Sequence, residues 1–322
     1  MTLRRSLLLA PLAAAAWPAA AQEAFPARQV RIIVPFTPGG QTDTIARLVA
    51  ARLQNAWRQP VTVDNRAGAN GLLGIEAMVR SAPDGYSLAA ITLTHAINAT
   101  LVQNPPYDFA REVSALCLLG SLPLVAVVPV ASPIRSFADL VAAARSRTLN
   151  AGSSGTGTPP HLALEIFRRE SGAGDRITHV PYRGGAPAIT DLVGGTLEVI
   201  IANLPEAIGN IQGGRLRPLA VTARERHRLL PEVPTVHELG MPNLEMGSWT
   251  AIAASTAVPA ALRARIAADA RAAIQDPEAS ARATEIGFDI LAWPQDRTAA
   301  FVTAEAERWG RIIREANIRA EA

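Results

Sequence analysis

Two turns in this sequence carry the residue types best suited to holding an anion: Thr37-Pro38-Gly39-Gly40, and Ala151-Gly152-Ser153-Ser154-Gly155-Thr156-Gly157-Thr158-Pro159-Pro160-His161. Each lies between an apolar strand-like run and the start of a predicted helix. The first turn of a helix leaves backbone N–H groups unpaired, and the positive end of its dipole adds to them. Pro38 suits the second position of a turn, and Gly39 permits positive φ and close backbone approach. The second turn has four hydroxyls and three glycines. Such nests of N–H and O–H donors can grip a small carboxylate without any basic side chain. The alternative for the first turn is a tight connection with no ligand. His161 either donates to an anion or makes a structural hydrogen bond.

Covalent chemistry fits the same residues less well. The lipase-type G-x-S-x-G pattern needs glycine where Thr156 stands, and the dinucleotide pattern G-x-G-x-x-G from Gly155 ends on Pro160. A secreted hydrolase using Ser153 or Ser154 with His161 is the competing class, but no motif supplies its sharp elbow and orienting acid. All 31 basic residues are arginine, which excludes Schiff-base lysines and a P-loop lysine. The histidines are His95, His161, His179, His227 and His237, with no H-E-x-x-H pattern, so no metal and no cofactor are expected. Cys117 is the single cysteine and lies in an apolar run, which reads as core. His179 alternates with Ile177 along a strand and reads as structural, and His227 lies among Arg224, Arg226 and Arg228 on an expected solvated face.

The elements that must position these turns follow from patterning. The 322 residues are 49% hydrophobic, enough for a sizeable core. Arg4 and Arg5, the apolar run 7–16 and the small residues Ala19-Ala20-Ala21 read as an export signal cleaved near Ala21, with a periplasmic destination. Its removal leaves 29 basic against 28 acidic residues, a net charge of +1, so the high pI is no sign of nucleic-acid binding. From Val30, strand-like and helix-like segments alternate: strand 30–34, a helix with Ile45, Leu48, Val49 and Leu53 on one face, strand 61–65, helix 73–80 and strand 86–93. A second series has strand 124–130, helix 137–145 behind a Ser136/Asp139 capping box, and strand 149–151. It continues with helix 161–169, strand 177–180, helix 186–192 and strands 197–202 and 216–221. Strand 249–253 and helices 259–273 and 297–314 complete the chain.

This is an α/β pattern of two largely parallel sheets. Chain crossings near 122–126 and 246–252 suggest a hinge. They divide the chain into a signal at 1–21, a first lobe of 22–123 plus 248–322, and a second lobe of 124–247. An internal echo accompanies the division: Val34-Pro35-Phe36 leads to Gly39-Gly40 and Asp43, and Val180-Pro181-Tyr182 leads to Gly184-Gly185 and Asp191.

Several segments in order resemble the periplasmic substrate receptors of tripartite tricarboxylate transporters, the Bug receptors. They are Phe25-Pro26-Ala27-Arg28 through Asp43-Thr44-Ile45-Ala46-Arg47, Val63-Asp64-Asn65-Arg66-Ala67-Gly68-Ala69-Asn70-Gly71 and Pro83-Asp84-Gly85-Tyr86. Gly155 through His161, His179-Val180-Pro181-Tyr182-Arg183-Gly184-Gly185-Ala186-Pro187 and Val233-Pro234-Thr235 complete the set. The resemblance implies a two-lobed venus-flytrap receptor, each lobe a mainly parallel sheet flanked by helices, that closes on a small organic acid and catalyses nothing. Its implied partners are membrane permease subunits of a tripartite carboxylate transporter, or a sensor, with no nucleic acid and a monomeric chain. It implies ligand contacts at Phe36, Gly39, Gly40 and Asp43 from one lobe, and Ser153, Gly155, Gly157, Thr158 and His161 from the other. Where family members often carry an acid after strand 197–202, this chain has Asn203. The expectation is that Asn203 contacts the ligand and that the lost charge favours a ligand lacking an ammonium group.

Overall fold

The computed structural model describes residues 25–315, so the export segment lies outside the described residues. The first half runs β1 (Val30–Val34), α1 (Gln41–Trp57), β2 (Val61–Asn65), α2 (Leu72–Val79), β3 (Ser87–Thr92), α3 (Leu93–Leu101), α4 (Phe109–Glu112) and β4 (Val113–Pro129). There follow α5 (Phe137–Ser146), β5 (Leu149–Ser153), α6 (Pro159–Glu170), β6 (Ile177–Pro181), α7 (Gly185–Val193), β7 (Val199–Asn203), α8 (Leu204–Gln212) and β8 (Leu216–Val221). The last elements are β9 (Gly247–Ser255), α9 (Ala260–Gln275), α10 (Pro277–Glu285), β10 (Asp289–Trp293) and α11 (Gln295–Glu315).

Strands order as β2-β1-β3-β9-β4-β10 in one sheet and β6-β5-β7-β4-β8 in the other. The strand–helix units pair in parallel, as their patterning predicts: β1 with β2 and β3, β5 with β6 and β7. The sheets as wholes are mixed, because β9 runs antiparallel to β3 and β4, and β4 runs antiparallel to β7, β8 and β10.

β4 belongs to both sheets. Pro123 is opposite Gly247 of β9 in the first, and the next residue, Leu124, is opposite Asn203 of β7 in the second. Proline has no N–H to give to a ladder, so it suits the residue at which β4 changes partners. One apolar core follows β4 from sheet to sheet, containing Leu118, Leu124, Ala126 and Val128 together with Trp249, Phe137 and Phe167. A second core packs α1 and α9 on the first sheet through Ile45, Val49, Leu53, Ile266 and Ile274. Cys117 is fully buried there, and burial pushes its thiol up to about 12, so it is an inert core residue. His227 departs from the expected solvated face: it is buried, and its Nδ1 accepts from the Leu229 N–H at 3.2 Å.

The Ser136/Asp139 box caps α5 reciprocally, at 3.1 and 2.9 Å. Five elements escape the sequence patterning: α3, α4, α8, α10 and β10. β10 is a five-residue strand that pairs with β4 across an irregular register, and α8 is short and begins inside an apolar run. Such segments have too few periods for an amphipathic pattern to stand out.

Thr222 ties the crossing strands together. Its Oγ1 accepts from the Leu124 N–H at 2.9 Å and donates to the Met246 carbonyl at 2.6 Å, while the Met246 N–H donates to the Thr222 carbonyl at 2.9 Å. Thr222→Val keeps the shape and strands both buried partners, which costs about 1–3 kcal/mol. Urea denaturation is expected to show a lower midpoint for Thr222→Val at unchanged slope, with Thr222→Ser close to the parent.

Candidate functional site

The two echoing turns meet face to face. A Cβ on Gly39 would lie 3.9 Å from the Ala186 Cβ, and one on Gly184 would run into the Thr37 hydroxyl. Farther along, Gly155 approaches Asn70, and a Cβ on Gly157 would lie 2.5 Å from Leu101 Cδ2. All four glycines have φ between +77° and +159°, which strains any side chain, and at Gly184, Gly155 and Gly157 a Cβ would also crowd its neighbour. The two turns pack directly on each other at these contacts.

Between them is a cavity. The first lobe lines it with Phe36, Gly40, Gln41, Thr42, Thr92, Thr94 and Ser248, and the second with Ser154, Pro159, Gly184, Gly185, Asn203 and Glu206. Counted at water centres it measures about 20 Å³, room for about one water molecule. A larger opening shares Phe36 and Ser154 and runs outward past Asn70 and Arg183. Among the helices that begin at the inner cavity are α1 behind Gly40, α7 behind Gly184 and α8 behind Asn203. None of the three has a hydrogen bond from its own N-cap side chain, so their first N–H groups must find acceptors elsewhere.

The residues implicated by the sequence divide into two sets. Phe36, Gly40 and Asn203 line the inner cavity, and Gly155 lines the outer opening. Asp43, Ser153, Thr158 and His161 instead build the turns. Asp43 takes the Gly39 N–H at 3.0 Å, the Asn65 amide at 2.9 Å and the Arg47 guanidinium at 3.0 Å. This occupies the Gly39 N–H internally. Ser153 is fully buried, its hydroxyl bonded to Gly155 and 2.7 Å from His179 Nε2. Thr158 Oγ1 donates to the Gly155 carbonyl at 2.6 Å. His161 Nδ1 accepts from the Gly157 N–H at 3.0 Å, and its ring stacks on His179 with centroids 4.3 Å apart. Burial, with His179 and Arg168 nearby, pulls His161 down to about 3, so it is neutral at ordinary pH. The structural reading of His161 is the one the geometry carries. No Ser–His161 pair forms: Ser153 is against His179, and Ser154 Oγ is against Thr158 at 3.3 Å.

The sequence reading missed Ser154, Gln41, Thr42, Thr92, Thr94, Ser248 and above all Glu206. Asn203 lines the cavity without a charge of its own, and an acid three residues later, Glu206, lines it as well. The available signal was Asn203-Leu204-Pro205-Glu206, an N-cap residue followed by a glutamate at the third helical position. Burial pushes Glu206 up to about 7, against the hydrogen bonds from Asn203 and from the Gln41 N–H that pull the other way.

Asp43 generates a stability prediction. Desolvation opposes its ionisation, but Arg47, the Gly39 N–H and Asn65 outweigh it and hold the carboxyl below its ordinary value. A depressed carboxyl contributes stability above its unfolded pKa and loses it as pH falls through the folded value. Asp43→Asn is therefore expected to be less stable than the parent at pH 7, with the gap in denaturation midpoint narrowing as pH falls below about 4.

Comparison with known proteins places this geometry. Residues 45–318 match the family model described as tripartite tricarboxylate transporter family receptor. The chain is 34% identical over 302 residues to protein BugT of Bordetella pertussis, covering 91% of this chain and 90% of the relative. It superposes on the solved structure of a periplasmic transporter with TM-score 0.88 and 31% identity, covering 92% and 100% of the two chains. It also superposes on Rpa4515 of R. palustris with adipate, with TM-score 0.85 and 32% identity, covering 92% and 99%. The fold is that of the α/β periplasmic binding proteins, and the shared role is that of a solute-binding receptor rather than an enzyme. The chain belongs to the tripartite tricarboxylate transporter receptor family.

Proposed function

We propose that this receptor is exported to the periplasm with cleavage near Ala21, captures a small organic carboxylate between its lobes, and delivers it to the permease of a tripartite transporter or to a sensor. The observation that carries the reading is the meeting of glycine turns and helix N-termini at one cavity lined by hydroxyl and amide donors. The adipate in the Rpa4515 structure supports the carboxylate class. In this reading the lobes divide at 22–123 plus 248–322 and 124–247, in keeping with the exchange of β4 partners between Pro123 and Leu124. Phe36, Gly40, Ser154, Gly155 and Asn203 meet the ligand, while Gly39, Asp43, Ser153, Gly157, Thr158 and His161 set the turns that do so. The receptor acts as a monomer and binds no nucleic acid.

The test is a thermal shift of residues 22–322 against mono-, di- and tricarboxylates, amino acids and aromatic acids. An acid at about 100 times its Kd adds about 2.7 kcal/mol and raises Tm by several degrees. One acid class is expected to give that shift, and Gly157→Val to lose it, since valine at φ +77° would press on Leu101 and hold the lobes apart. A panel with no responding acid, run on protein shown by mass spectrometry to be free of retained ligand, would overturn the carboxylate assignment.

A further inference from the structure

Glu206 is the single charged residue lining the inner cavity, and it is an acid in a cleft read as holding an acid. It reaches from the first turn of α8 to the start of α1, close enough for the N–H of Gln41, the first residue of α1, to favour its ionised form. The side-chain amide and backbone N–H of Asn203 also donate to it. Its Oε1 would lie 3.8 Å from a Cβ on Gly40, and a Cβ on Gly185, the first residue of α7, would collide with its carboxylate. Three helix N-termini therefore converge on one side-chain carboxylate. Asn203 is 7% exposed and lines the same cavity with its Oδ1 unpartnered, an acceptor already in place beside Glu206. With Glu206 so placed, the cavity has room for about one water.

We propose that Glu206 is the internal anion of this cleft: it holds the α1 N–H that a ligand carboxylate would use, so that binding a purely anionic acid requires Glu206 to take up a proton and release that donor. The proposal rests on the carboxylate reading above. Two carboxylates sharing one set of donors in a poorly solvated site cannot both stay ionised at low cost. No cation lines the inner cavity to relieve them. The groups on the surrounding elements leave Glu206 to titrate by itself. On α1, Asp43 and Arg47 are paired with each other, and on α7, Asp191 accepts from the Tyr182 hydroxyl. His95 at the start of α3 is pulled by burial down to about 4 and stays neutral above pH 5.5. Arg183 is exposed at the outer opening. β3 and β9 contribute Thr92 and Ser248, which carry no charge.

Burial places the Glu206 transition at about 7. Close to nine-tenths of it is then protonated at pH 6 and about one-tenth at pH 8, and apparent affinity follows that fraction. Two measurements test the proposal. Without ligand, the Gln41 amide resonance is followed by NMR from pH 5.5 to 8.5 in the parent and in Glu206→Gln. The parent amide is expected to titrate near pH 7 and the variant amide to stay flat; a flat parent amide would overturn the proposal. With adipate, malate and aspartate as probes, calorimetry in two buffers of different ionisation heat measures affinity and proton uptake. A dicarboxylate that binds is expected to weaken about tenfold from pH 6 to 8 with uptake of a proton in the parent, and to bind Glu206→Gln with neither effect. Aspartate binding preferred by the parent, without proton uptake and lost in Glu206→Gln, would overturn the proposal and make Glu206 a partner for an ammonium group. A titrating Gln41 amide, with no acid of the wider panel bound at any pH, would uphold the internal contact while removing the carboxylate reading.

Discussion

The starts of α1, α7 and α8, none of which has a hydrogen bond from its own N-cap side chain, are the constraint around which this receptor is arranged. A helix that begins at glycine, as α1 and α7 do, gains a tight turn and gives up a side-chain cap. Its first donors must then be satisfied by water, by another part of the chain or by a bound acceptor. Here the donors face one another across a narrow gap, so one acceptor serves both sides. An acid placed there would meet both sets of donors without lysine or arginine, neither of which lines the inner cavity among the described residues.

The supporting structure follows from keeping those turns rigid while the lobes remain movable. Asp43 binds Gly39, Asn65 and Arg47 at once, and His161 with Thr158 fixes Gly157 and Gly155. These side chains spend their hydrogen bonds on the turns and leave ligand contact to the cavity-lining residues. β4 exchanges one sheet for the other beside Pro123 and under Thr222. A continuous core along β4 resists independent unfolding of either lobe.

Both turns were legible in the sequence because glycine, proline and hydroxyl residues between apolar runs have a direct backbone meaning. The strand–helix alternation was legible for the same reason, and so was the α5 capping box. What escaped was set by tertiary contact. Whether the Ser153 or the Ser154 hydroxyl faces the cleft depends on a one-residue difference at the end of β5, which alternation alone does not orient. Asp43 and His161 have the right chemistry for a ligand, but neighbours distant in sequence, Asn65 and His179, hold them in the framework. Glu206 reads locally as a helix-start acid, and only the approach of α1 from the other lobe turns it into a cleft residue. The mixed character of the sheets was hidden as well, since Gly120 and Pro123 interrupt the apolar run of β4 and mask a seventeen-residue strand.

The central claim is that a carboxylate is gripped by the backbone of the two facing turns. Amide hydrogen exchange of the receptor, with and without the acid that the panel identifies, measures that directly. The account predicts that bound acid slows exchange most strongly at residues 39–42 and 154–159, on both sides of the cleft together. Full occupancy with unchanged exchange in both segments, or protection confined to one lobe, would contradict it.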